Sequence, residues 1–127
     1  MKNLDNLFVS YKKSHYSDDV LALITVLPCF NMAMKLMNRK QSGKKPFSKT
    51  FKFEERMAKM NQAYQVFENA ITKKEGNTKE VKDALLSVRD TITKASKEIK
   101  MESLKNDYIY LASIFEDSYN LLSSINS

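Results

Sequence analysis

Lys35, Arg39, Lys40, Lys44, Lys45, Lys49 and Lys52 place seven cationic side chains in eighteen residues that contain no acidic one. The chemistry open to such a run is contact with anions, since each charged nitrogen can neutralise one phosphate of a nucleic-acid backbone. The rest of the chain does not share the bias. Residues 1–53 hold ten cations and three anions, and residues 54–127 hold eleven and twelve. The whole formal excess of +6 therefore belongs to the first half of the chain. Lys outnumbers Arg eighteen to three, which suits nonspecific phosphate contact better than bidentate reading of bases.

Two aromatic rings, Phe47 and Phe51, lie among these lysines. If exposed, they form a platform on which unpaired bases stack while the lysines track the backbone. If they fold back over the end of the protein, the lysines are left as a solvated loop. The first arrangement makes the candidate nucleic-acid-binding set Lys35, Arg39, Lys40, Lys44, Lys45, Phe47, Lys49, Phe51 and Lys52.

Catalytic chemistry has no comparable signal. There is one His, one Cys and no Gly-rich phosphate loop. A zinc site built from Cys and His alone is excluded by that count. His15 and Cys29 could pair only if the chain brought a thiol out of its most apolar stretch. Glu54 and Glu55 are adjacent, and adjacent helical positions point about 100° apart, so they do not form a dyad. Asp18 and Asp19 read as the acidic first turn of a helix. The expectation is a non-enzyme without cofactor or metal.

These residues must be positioned by helices. Two Gly and two Pro in 127 residues, with abundant Leu, Met, Lys, Glu and Ala, leave few turns and favour an all-α chain. Val20–Met34 is its most apolar run, interrupted only by Thr25, Pro28 and Asn31. Fifteen helical residues cover about 22 Å, against about 30 Å of bilayer hydrocarbon, so the run reads as a core helix, without integral membrane association. That helix is expected from Asp18 to about Gln41, capped by Ser17 and kinked at Pro28, where the ring crowds the carbonyl of Ile24.

Leu4, Leu7, Phe8 and Tyr11 predict a short amphipathic helix over residues 3–13. Phe53, Met57, Met60, Tyr64, Phe67 and Ile71 predict another over 50–74, its first turn lined by Lys45, Lys49 and Lys52. Gly76 then reads as a left-handed C-cap, and Asn77 with Glu80 as a capping box. Val81, Leu85, Val88, Ile92, Ala95 and Ile99 form the next seam. The seam of Met101, Leu104, Tyr108, Leu111, Phe115 and Leu122 lies about 150° further round the helix. One straight helix cannot turn both seams to one neighbour, so either the chain breaks between Ile99 and Asp107, with Asn106 and Asp107 as caps, or one long helix faces different partners in its two halves. The break is the expectation, since an unbroken 78–125 helix is long for a globular domain. The result is a compact bundle of four or five helices forming one domain over 1–127.

A single cysteine and an N-terminus without an apolar h-region favour a cytoplasmic protein. The function expected is a helical subunit with a basic surface that contacts RNA or single-stranded DNA, mainly through phosphates, beside other protein subunits of a nucleoprotein assembly. The alternative is a protein-binding regulator, such as an inhibitor, adaptor or immunity-type factor, acting through the C-terminal amphipathic helix and Tyr110. Peripheral binding to anionic lipid is weaker, because no helix joins a basic face to an inserted aromatic one.

Overall fold

The computed structural model describes residues 16–125, so the helix expected over 3–13 and the environment of His15 lie outside the described residues. Within them the protein is all-α: α1 spans Asp18–Ser42, α2 Phe53–Lys73, α3 Lys79–Ser96 and α4 Glu102–Ile125, with a 3-10 turn at Lys49–Phe51. The helices pack as α1 on α2 and α4, and α3 on α2 and α4. Consecutive helices run antiparallel. One end gathers the start of α1, the end of α2, the start of α3 and the end of α4, as the bonds Gly76–Asp19 and Asn77–Leu122 require.

In α1 the residues Val20, Leu21, Ala22, Leu23, Thr25 and Val26 are buried almost without interruption, as a helix with neighbours on several sides requires. Beyond Pro28 burial narrows to the single face of Phe30, Ala33 and Met37, while Leu27 is half-buried and Met32 is exposed. Pro28 sits on the exposed side, and the helix continues through it. The buried hydroxyls of Thr25 and Ser118 both donate to the Ala22 carbonyl, which satisfies two polar groups at the contact of α1 with α4. At 25 residues, about 37 Å, α1 is long and apolar enough to cross a membrane by length and composition. The length argument made on the fifteen-residue run does not extend to the whole helix. Half of its most apolar window is buried inside the protein.

The seam of α3 is buried throughout, from Val81 to Ile99. The break after it falls at residues 97–101, where the amides of Lys97, Glu98 and Ile99 donate to carbonyls three residues back. Asn106 and Asp107 therefore lie inside α4 and cap nothing. No glycine is needed, since burial of Ile99 holds the chain in the turn.

The connection between α2 and α3 also differs from expectation. Lys74, with φ 57°, takes the left-handed C-cap position assigned to Gly76. Gly76 is required for a different reason: a Cβ there would lie 2.5 Å from the Asp19 carbonyl oxygen. The N-cap is Thr78, whose hydroxyl accepts from the Val81 amide at 3.2 Å, while Asn77 donates to the Leu122 carbonyl. Ser17 occupies the N-cap of α1, but its side chain bonds Asp19 and caps no amide.

Candidate nucleic-acid interface

The other end of the bundle carries the basic segment. α1 ends with Arg39 and Lys40 in its last turn, where positive charge also offsets the helix dipole. The chain then leaves helix through Gly43, Lys44 and Lys45, and Pro46 keeps it extended. The Ser48 amide donates to Glu98 Oε1 at 2.8 Å and ties this loop to the end of α3. Lys40 Nζ donates to the Lys45 carbonyl at 3.0 Å and lies 5.3 Å from the centre of the Phe47 ring. It closes the loop and still brings its charge to the site.

The aromatic platform is not present. Phe47 and Phe51 are buried, at 6% and 5% exposure, and belong to the core. Their rings stack at 4.3 Å, and Phe47 lies 5.9 Å from Phe53 at nearly the same inclination. Arg56 covers the outer side, with its guanidinium 5.8 Å from the Phe51 ring and Nε donating to the Phe51 carbonyl. Neither Phe can offer a face to a base without leaving the core, so both are removed from the binding set. The cause is local. Lys52 adopts a left-handed conformation, φ 55°, which interrupts the helix before α2 begins. Helical face arithmetic across residues 50–53 therefore does not apply, and Lys45, Lys49 and Lys52 precede α2 without lining its first turn.

Of the seven cations, Arg39, Lys40, Lys44 and Lys45 line one groove of about 480 Å³. Lys35 is exposed one turn before Arg39, and Lys49 and Lys52 are exposed on the far side of the loop in sequence. Among the described residues none of the seven is paired with a carboxylate, whereas Arg89 pairs with Asp90 and Glu116. The groove gains a further cation that sequence reasoning missed. Lys100, in the α3–α4 turn, lines it with Ile99, Met101 and Leu104. Its only sequence signal was the seam jump near residue 100, which marks the turn but not what the turn faces. Among the described residues no carboxylate lines the groove.

No group of three His, Cys, Asp or Glu residues stands close enough to hold a metal among the described residues. Cys29 is half-buried against the core, and burial pushes its thiol above the ordinary range, away from nucleophilic thiolate. What the site offers is fixed positive charge around an aliphatic depression. No family model, curated protein or solved structure matches this chain.

Proposed function

We propose that this chain is a non-catalytic helical subunit whose basic end contacts the backbone of RNA or single-stranded DNA within a larger nucleoprotein assembly. One observation carries the reading: Arg39, Lys40, Lys44, Lys45 and Lys100 converge from two distant stretches on one groove that no carboxylate lines among the described residues. Arg39 and Lys40 also serve the end of α1, but Lys44, Lys45 and Lys100 lie outside every helix and answer to no dipole. Gathered charge of one sign raises the local potential for a polyanion. The reading includes a cytoplasmic location, no integral membrane association, and a bend of α1 at Pro28, supported by the change from all-round to one-sided burial at that residue.

Titration of the protein against RNA, single-stranded DNA and anionic vesicles at two salt concentrations tests it. Binding to nucleic acid that weakens steeply with salt is expected. No binding to either polymer at low salt would contradict it, as would a preference for vesicles.

A second reading has its own observation. Ile109 and Tyr110 follow one another on α4, 48% and 45% exposed, and leave two apolar side chains about 100° apart on its outer surface. An exposed aromatic and an exposed aliphatic side chain on one helix suit a protein interface, as in a helical inhibitor or adaptor. Tyr110→Ser that abolishes association with partner subunits while leaving nucleic-acid binding intact would favour this face as the protein-binding one.

A further inference from the structure

Phosphate contact alone needs no apolar floor, yet the basic groove has one. Leu36, Ile99, Met101 and Leu104 line it beneath and between the cations. Met101 is 66% exposed, the largest exposure of any large hydrophobic side chain among the described residues. We infer that the groove seats one unpaired base of a single-stranded nucleic acid, held against Met101, Leu104 and Leu36 while the flanking phosphates lie on Arg39, Lys44, Lys45 and Lys100. This rests on the nucleic-acid reading and gives it a preference for unpaired strands.

Three features favour a base over an acidic amphipathic helix of a partner protein. The depression is local, built from the last turns of α1, the 43–45 loop, the α3–α4 turn and the first turn of α4, and does not extend along the length of either helix. A helix partner needs anchors spread over two turns. The cations continue beyond the groove in both chain directions, at Lys35 and at Lys49 and Lys52, as a repeating polyanion requires and a single anchored peptide does not. Arg39 lines the groove with a planar guanidinium, whose edge can bond a phosphate while its face lies against the base, as an ammonium cannot. Inside a duplex the base is paired and stacked, so it cannot enter.

The test uses the full chain with Met101→Ser and Leu104→Ser, singly and together, and thermal melts to confirm that each variant is folded. Met101 is exposed, so its variant should melt as the parent does. The probes are homopolymeric single strands (oligothymidylate and oligouridylate), a duplex of equal length, and an oligodeoxynucleotide carrying abasic sites in place of bases. Met101→Ser should weaken binding to the single strand about tenfold, the lower part of the range for base contacts. Duplex and abasic binding, and the slope of log K against log salt, should stay as in the parent. The parent should bind the abasic strand about as weakly as the variant binds the intact one. Equal single-strand affinity in parent and variants, with the salt slope retained, would overturn the base site and leave backbone contact standing. Failure of the parent to bind any of these probes would overturn both. Tighter binding of poly-glutamate than of the single strand, lost in Met101→Ser, would assign the groove to an acidic protein and overturn it as well.

Discussion

The two ends of the bundle are closed by different physics. At the first, Asp19 Oδ2 accepts the Gly76 amide at 2.8 Å, Asn77 donates to the Leu122 carbonyl at 3.0 Å, and Thr78 caps α3. Polar groups there are used on the protein's own backbone. At the second, three phenylalanine rings stack under Lys40 and Arg56, and five cations surround a groove that no carboxylate lines among the described residues. The rings, with the Ser48–Glu98 and Lys40–Lys45 bonds, close that end and leave its cations without a carboxylate partner among the described residues. The difference separates what folds the chain from what it presents. A residue type alone does not tell which role it has: Lys40 serves the loop, whereas Lys44 and Lys100, which line the same groove, have no hydrogen-bond or ion-pair partner among the described residues.

The comparison breaks most visibly at the aromatic closure. Phe51→Ala should cost about 3–5 kcal/mol in chemical denaturation, because a buried ring is removed and a cavity remains. Its effect on nucleic-acid affinity at a temperature where the variant is folded should be small. A normal melt with lost binding would return Phe51 to the binding surface. At the other end, Gly76→Ala should cost about 1–3 kcal/mol, since the new methyl meets backbone atoms of Asp19 at 2.5 and 2.7 Å and those cannot swing away. A neutral effect would show that the connection shifts freely and is not pinned.

Asp19→Ala should cost about 1–2 kcal/mol through loss of a charged acceptor for the Gly76 amide. Burial by itself would raise the pKa of Asp19, but the bonds from the Ser17 side chain and the Gly76 and Val20 amides outweigh it and hold the carboxyl below 3.8. The folded protein thus binds fewer protons than the unfolded one near that pH. Its contribution is complete above about pH 4 and is lost as the pH falls through the folded value. Acid titration of the parent and Asp19→Ala should converge at low pH, and parallel curves would contradict the assignment.

The smallest effect concerns Tyr108, 1% exposed with no partner for its hydroxyl. Burial pushes its pKa up to about 12 from an ordinary 10. Above pH 10 the unfolded chain gives up this proton first, so stability should decline between about pH 10 and 12. Tyr108→Phe should remove that decline and change neutral-pH stability by no more than about 1 kcal/mol, because no hydrogen bond is lost. A larger loss in the melt would reveal a partner for the hydroxyl.

Much of the fold was legible because helix packing writes itself into period. The α3 seam from Val81 to Ile99 is buried as its spacing implies, and the jump to the Met101–Leu122 seam marks a real break. The position of that break was not legible, because ordinary residues close α3 by short-range amide bonds where no Gly or Pro stands. Gly76 was misread because spacing reveals a possible cap but not a backbone passing within contact distance from 57 residues away. Whether Phe47 and Phe51 were exposed or folded back was not legible, because the helix predicted from residue 50 is interrupted at Lys52 and nothing in the residue type of a lysine announces a positive φ. The cationic loop was evident, whereas Lys100 joins it only through tertiary structure.

The most direct test compares the ends by charge. Arg39, Lys44, Lys45 and Lys100 are replaced together by Ala in one variant, and Lys73, Lys74, Lys79 and Lys82 at the opposite end in another. Each variant loses four of the 21 cations, so net charge is matched. With single-stranded nucleic acid, the slope of log K against log salt should fall by about 0.7 per lost contact, close to 3 for the groove variant, and hardly change for the other. Equal slopes in the two variants would show that overall charge, and not the groove, binds the strand, and the account would fail.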